Sequence, residues 1–296
     1  MTPGQEPPTQ PGAADGVAPD PSELRDVAET LAAEAARLIR GMRADLGDGL
    51  ADTVRTKSSA VDPVTAVDEA SEARIRGLLA ALRPGDAVLG EEDGEARGCT
   101  GVRWIVDPVD GTVNFLYGLP AYAVSVAAEH GGRVVAAAVA DVPRGRIHSA
   151  AAGAGALVRE GCGTRRPLQV SGADELATTL VATGFSYDAA RRRRQAAISA
   201  ELLGRVRDIR RMGSAALDLC LLAEGAIDAY YEHGLGEWDW AAGALIAEEA
   251  GAVVSRPKEV ASAAGHPIIA AAPGVADAFA DLLADLGADA PLPSGS

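Results

Sequence analysis

Apolar and polar positions divide the chain into stretches of different period. From Ser22, the residues Leu24, Val27, Leu31, Ala35, Leu38 and Met42 recur at helical spacing and predict a first amphipathic helix; Val67, Ala70, Arg74, Leu78 and Leu82 predict a second. Between Asp86 and Ala156 the period shortens, and residues 87–89, 104–106, 122–129, 134–140 and 147–150 read as strands, with Gly131-Gly132 as a hairpin turn. After about Arg166 strands and helices alternate. Residues 180–182 and 206–209 read as strands, helices begin near Asp188, Ser214 and Asp239, and a last helix spans about 275–286. Strand runs followed by strand–helix alternation predict an α+β half over residues 22–165 joined to a more α/β half over 166–290. No internal repeat is visible. Residues 1–21 are rich in Pro, Gly, Gln and Asp and nearly lack large apolar side chains, so a disordered tail is expected there, with a short second tail over 291–296.

A chain of 296 residues exceeds the usual size of a single core, so two substructures or one large layered domain are expected. A net charge of −15 repels nucleic acid and anionic membranes over most of the surface, and an anionic substrate would need local cations to approach. Cys99, Cys162 and Cys220 are scattered and never in Cys-x-x-Cys spacing, which suits a reducing cytoplasm. No basic region followed by an apolar segment stands at the N-terminus, and no apolar stretch reaches about 18 residues, so a soluble, non-exported protein is expected. The four histidines show no metal-ligand spacing. Arg191 to Arg194 circle a helix rather than forming one face, which favours a solvated basic patch over a nucleic-acid site. The alanine excess carries no functional reading.

The candidate chemistry lies in Trp104-Ile105-Val106-Asp107-Pro108-Val109-Asp110-Gly111-Thr112-Val113-Asn114-Phe115. Three strand-forming residues deliver two carboxylates and a hydroxyl into a turn; Pro108 cannot continue a ladder and Gly111 permits unusual backbone angles, so the strand is expected to stop at the carboxylates. Asp107, Asp110 and the Val109 carbonyl offer only oxygen, a set that Mg²⁺ accepts, whereas zinc prefers nitrogen or sulfur. The competing structural reading is an Asp-Gly turn after a core strand.

This run resembles a signature of the inositol monophosphatase family, and four further segments match the family in order: Lys57-Ser58-Ser59 through Asp62, Val64, Thr65 and Asp68; Gly90-Glu91-Glu92; Gly213-Ser214-Ala215-Ala216; and Glu237-Trp238-Asp239-Trp240-Ala241-Ala242-Gly243. The resemblance covers residues 22–287 and leans toward the bacterial, especially actinobacterial, inositol-1-phosphatases. It implies an α+β fold, the layered αβαβα sandwich of the inositol monophosphatase and fructose-1,6-bisphosphatase type, and a cytoplasmic homodimer acting on a small phosphorylated substrate, with neither nucleic acid nor membrane as partner. It implies two to three Mg²⁺ ions: Glu91, Asp107 and the Val109 carbonyl hold the first, and Asp107, Asp110 and Asp239 the second. Four carboxylates and two ions cancel, a phosphate dianion then leaves two negative charges, and a third ion would neutralise them. Catalysis falls to Asp68 and Thr112, which activate water, and to Glu91. Substrate contacts fall to Asp110, Gly111, Thr112, Gly213, Ser214, Ala215, Glu232 and Asp239, with Lys57 balancing charge.

Several of these residues have a plainer alternative. Asp239 and Ser214 fit helix caps, Thr65-Ala66-Val67-Asp68 fits a capping-box variant, Glu91 fits an acidic loop, and Glu232 fits a strand-end surface position. Valine at 109 departs from the family's usual Ile or Leu, harmlessly for a backbone ligand, and Arg256-Pro257-Lys258 replaces the more common glycine-rich turn. The implied activity is Mg²⁺-dependent hydrolysis of myo-inositol 1-phosphate by water attack. Histidinol phosphate and fructose 1,6-bisphosphate are the alternatives within the superfamily, and a non-catalytic regulatory binding protein is the alternative outside it. Phe115-Leu116-Tyr117-Gly118-Leu119-Pro120 and Gly184-Phe185-Ser186-Tyr187-Asp188 resemble the inositol branch.

Overall fold

Helix α1 (Pro21–Leu46) buries Leu24, Ala28, Leu31, Ala32, Ala35, Ala36 and Ile39. The computed structural model describes residues 18–46, 54–56, 63–161, 163–257 and 265–292; Lys57, Ser58, Ser59, Asp62, Cys162, Lys258 and both expected tails save their inner edges lie outside these. Four of the seven buried α1 positions are alanine, and they meet a core that holds Ala128, Ala136, Ala138 and Ala140 of the sheet below. The alanine excess therefore has a packing role: small side chains on both partners let the helix lie close.

Strand β1 (Val54–Thr56) pairs with β2 (Pro63–Thr65), which runs into α2 (Ala66–Leu82). A large sheet follows, built from β3 (Ala87–Gly90), β4 (Gly94–Ala96), β5 (Val102–Asp110), β6 (Ala123–His130), β7 (Arg133–Asp141), β8 (Arg146–Ala151), β9 (Ala156–Glu160) and β10 (Thr164–Pro167), with a short α3 (Thr112–Tyr117) after β5. Its eight strands lie in the order β10-β9-β8-β7-β6-β5-β3-β4, antiparallel except for the β3–β5 pair. The β6–β7 hairpin turns at Gly131 and Gly132 as expected, with φ of 60° and 75°.

The second sheet draws on β11 (Leu180–Thr183), β12 (Asp208–Arg210), β13 (Ala229–His233), β14 (Val253–Ser255) and β15 (Pro267–Ala271), in the order β12-β11-β13-β15-β14. Its helices are α4 (Ala189–Leu202), α5 (Ala215–Ala223), α6 (Glu237–Glu249) and α7 (Ala276–Asp285).

Strand alternation assigns the layers. Trp104 and Val106 of β5 pack with α1 and α2, whereas Ile105 between them faces a core shared with α5 and α6. Tyr230 of β13 enters that same middle core from the second sheet, and Ala229 and Tyr231 point away to α4 and α7. Two outer cores and a middle one that contains α5 and α6 between the sheets thus join five layers, and the fold is the αβαβα sandwich.

Three expectations are corrected. The inward face of α2 is Val67, Asp68, Ser71, Glu72, Ile75 and Leu79, one position away from the predicted stripe, and Leu82 is half exposed. A search for apolar periodicity misses a face that is polar because it meets the site. Strand β5 also runs past its first carboxylate, Asp107, and stops only at the second, Asp110. Pairing with β6 lapses at Pro108 and Val109 and resumes at Asp110 with Ala123, so the irregularity sits inside the strand. The strand expected at 206–209 forms later, over Asp208–Arg210. Among the described residues, no helix is long and apolar enough to cross a membrane.

Candidate active site

At the irregular end of β5 the Asp107 carboxylate accepts the Val109 N–H at 2.9 Å, and the Pro108 carbonyl accepts the Ser71 hydroxyl at 3.0 Å. Gly111 then reverses the chain at φ 97°; a Cβ there would lie 2.9 Å from the Ala121 carbonyl oxygen, so both angle and space demand glycine. Thr112 opens α3. Its Oγ1 lies 3.0 Å from both Asp68 Oδ1 and the Val109 carbonyl oxygen.

Helix α5 supplies the next contacts. Ser214 caps it, accepting the Leu217 N–H at 3.3 Å, and donates its hydroxyl proton to Asp110 Oδ2 at 2.6 Å. The Ala216 N–H donates to the same oxygen at 2.7 Å. The helix N-terminus therefore holds the anion Asp110.

Helix α6 brings the third carboxylate. Asp239 stands in its first turn, and Oδ2 accepts the Gly236 N–H at 2.6 Å, the back-bond of a capping box. The large sheet fixes this helix start: Arg103 donates to Glu237 at 2.6 Å, and Ser125 donates to the Trp238 carbonyl at 3.0 Å. Asp239 is thus a capping residue as well as a site residue, at the third helical position rather than at the cap itself.

Asp107, Asp110 and Asp239 offer oxygens that all lie within 4.8 Å of one another. Glu91, half-buried after β3, lines the same cavity, as do Val109, Gly111, Thr112, Gly213, Ser214 and Ala215. Asp68 stands behind Thr112, fully buried. Burial pushes the Asp110 carboxyl up to about 6, helped by the Glu91 charge and opposed by its Ser214 and Ala216 hydrogen bonds. Burial, then the charges of Glu91 and Asp110, raise Asp239 well above the ordinary carboxylate range. A fold that forces like charges together at this cost, with oxygen donors alone, fits a hard divalent cation.

Glu232 lines the same cavity, of about 510 Å³. Its Oε2 accepts the Tyr230 hydroxyl proton at 2.8 Å, and burial raises it to about 7. Gly184 makes room: a Cβ there would lie 2.0 Å from the Glu232 carboxylate. Arg191 lines the cavity too, so the expected solvated patch holds for Arg192, Arg193 and Arg194, which are exposed, and is corrected for Arg191 alone. It is 3% exposed, and its Nε donates to the Leu292 carbonyl at 2.5 Å. Sequence reasoning also passes over Glu72 and Asn114. Asn114 donates to the Ala121 and Met212 carbonyls at 2.7 and 2.8 Å, tying α3 to the segment before α5. A smaller cavity of about 210 Å³ lies between β8 and α5, where Arg144, Arg146 and His148 are paired with Asp141 and Glu224.

A centre of convergent carboxylates at the junction of two sheets is the mark of a metal-dependent phosphatase in this sandwich. The model of the inositol monophosphatase family matches residues 20–286, and the chain belongs to that family. It is 53% identical over 271 residues to the inositol-1-monophosphatase of Mycobacterium leprae, covering 88% of this chain and 93% of the relative. The solved structure of Mycobacterium tuberculosis SuhB superposes with a TM-score of 0.78 at 48% identity, covering 91% of this chain and 98% of that one. A Pasteurella multocida protein named Nus factor SuhB is 39% identical over 205 residues, 69% of this chain and 75% of the relative. The protein is a phosphatase of this family.

Proposed function

We propose that the enzyme hydrolyses myo-inositol 1-phosphate with Mg²⁺ as cofactor, two to three ions per site. The observation that carries this reading is the convergence of Asp107, Asp110 and Asp239 within 4.8 Å in a cavity that Glu232 also lines. Relatives named inositol-1-monophosphatase support the choice of substrate.

Glu91, Asp107 and the Val109 carbonyl would hold one ion, and Asp107, Asp110 and Asp239 another. Bound there, the ions would supply positive charge to the phosphoryl oxygens and would acidify the attacking water. Thr112 orients that water. As its hydroxyl accepts the water's proton, it passes its own to Asp68 Oδ1, 3.0 Å away. Ser214 and the Ala216 amide keep Asp110 in one orientation, while Gly111, Gly213 and Ala215 shape the floor beside the phosphate. Glu232 accepts hydrogen bonds from the ring hydroxyls.

The regulatory reading gains from relatives named Nus factor SuhB, but the intact carboxylate set and the net charge of −15 favour catalysis over RNA binding. We infer a cytoplasmic homodimer as well, which would cover Tyr117 and Leu119, exposed by 80% and 52%; sedimentation velocity reads its mass.

Phosphate release from a panel of phosphomonoesters tests the main reading. The expected result is Mg²⁺-dependent turnover of myo-inositol 1-phosphate ahead of histidinol phosphate and fructose 1,6-bisphosphate, lost on chelation. Turnover indifferent to Mg²⁺, or a preference for either competitor, overturns it.

A further inference from the structure

Three inward polar residues of α2 each reach a different piece of the active site. Asp68 accepts from Thr112, Ser71 donates to the Pro108 carbonyl, and Glu72 takes the turn that carries Glu91. The third contact has no part in the chemistry above.

Glu72 is fully buried. Its Oε2 accepts the Glu92 N–H at 2.9 Å; its Oε1 accepts the Asp93 N–H at 3.1 Å and the Arg76 Nε–H at 2.8 Å. Arg76 then donates to the Gly94 carbonyl at 2.6 Å, closing the clamp on the far end of the same turn. A Cβ at Gly90 would lie 2.1 Å from Glu72 Oε1, so the glycine before Glu91 is the residue that lets the carboxylate in.

We propose that Glu72 is a positioning residue for the metal centre: it fixes the turn between β3 and β4, and thereby sets the affinity for the ion that Glu91 holds. The inference rests on the reading of Glu91 as a ligand. A buried carboxylate that needed only a counter-ion would be satisfied by Arg76. Glu72 instead spends both oxygens on two successive amides of another element, which fixes the backbone just after Glu91. Without that anchor the turn must be ordered when the ion binds, and the ordering entropy is drawn from the affinity. Buried ion pairs contribute little net stability beside apolar replacements, so stability alone is a weak account of the clamp.

Calorimetric titration of the full-length protein with Mg²⁺ alone tests this, with kcat at saturating Mg²⁺ as a second readout. Glu72→Gln keeps the shape but loses one acceptor and the charge. It is expected to weaken Mg²⁺ binding about tenfold, equivalent to about 1.4 kcal/mol, with kcat at saturation within about twofold of wild type. Glu29→Gln is the control: Glu29 is a buried carboxylate on α1, bonded to Ser149 and Arg165, and its loss should lower Tm without changing the isotherm. A folded Glu72→Gln protein with the wild-type isotherm overturns the proposal, and so does an equal weakening in Glu29→Gln. Should Glu72→Gln not fold, Arg76→Gln releases the Gly94 end and is expected to weaken binding about threefold, on the order of 0.6 kcal/mol; an unchanged isotherm there overturns the proposal too. Glu91→Gln separates the two readings. If it weakens binding while Glu72→Gln does not, the positioning role alone fails; if it binds Mg²⁺ as wild type does, the ligand assignment of Glu91 fails and takes this inference with it.

Discussion

The two walls of the cavity are built by different rules. On the metal wall three aspartates converge, and their carboxylates are held by backbone amides and a hydroxyl: Val109 N–H on Asp107, Ser214 and Ala216 on Asp110, Gly236 N–H on Asp239. The other stretch of the lining centres on Glu232, near enough for its charge to act on Asp110 and Asp239, with the Tyr230 hydroxyl as its hydrogen-bond donor and Gly184 opening the space it fills. The first wall concentrates charge and suits any phosphomonoester. On the proposed reading the second would offer the Glu232 carboxylate to whatever the phosphate is attached to, and mutations should then separate chemistry from specificity.

The sharpest break in the comparison comes from Asp107→Asn. The amide oxygen still accepts the Val109 N–H, so the fold should persist, but the charge expected to serve both ions is gone. Turnover of every phosphomonoester should fall by roughly 10³-fold or more, about 4 kcal/mol in the barrier. Comparable turnover at saturating Mg²⁺ would sink the two-ion assignment. Asp239→Asn comes next, with a loss of about 10²-fold on all substrates and a stability change under about 1 kcal/mol, since asparagine still accepts the Gly236 N–H. A calorimetric shift without a kinetic one would leave Asp239 a capping residue alone.

The metal wall is largely legible in the sequence because Asp107, Asp110 and Thr112 are near neighbours on one strand end, and a single run of residues carries the pattern. Its supports are not. Asp68, Ser71 and Glu72 are buried polar residues on a helix, and a reading that assigns the inward face to apolar positions turns α2 by about one residue. Arg191 misleads for another reason. Its partner, the Leu292 carbonyl, is 101 residues away, and no local pattern in four successive arginines marks the one that folds inward. Pro108 misleads in the opposite direction: it does interrupt the ladder, but pairing resumes at Asp110, and the interruption aims the two aspartates instead of ending the strand. Short apolar runs place β3, β5, β6, β7 and β8 of the large sheet within a few residues, because most of their positions are buried, whereas β4 and β10, largely exposed, leave no such run.

The substrate wall should respond selectively. Glu232→Gln is expected to raise KM for myo-inositol 1-phosphate on the order of tenfold while leaving that for a simple aryl phosphate within about twofold, because an aryl group has no ring hydroxyl for Glu232 to accept from. Equal effects on both substrates would remove Glu232 from the pocket and merge the two walls into one.

The smallest effect is one of pH, and it comes from the metal wall. Asp110 is raised to about 6 in the folded chain and Asp239 well above its ordinary value, each chiefly by burial. Between the unfolded carboxylate pKa, about 4, and these values the folded protein binds more protons than the unfolded chain. Their contribution to stability is therefore complete below about pH 4 and is lost as pH rises through the folded values. Glu232, raised to about 7, adds to the loss, while His233, held down to about 4 by burial, works against it below about pH 6.5. His233 is not among the proposed ligands, so its contribution largely cancels when the protein is compared with and without Mg²⁺, whereas Glu232 acts through its charge on Asp110 and Asp239 and shares their response to the ion. What remains is competition between protons and ions for the same aspartates. The rise in Tm on adding Mg²⁺ should therefore grow from a degree or so near pH 5.5 to roughly 3–4 °C near pH 8, a change on the order of 1–2 kcal/mol for a chain of this size. Differential scanning calorimetry at a fixed Mg²⁺ concentration measures it, and an increment that stays flat across this range would mean that the aspartates do not exchange protons for ions.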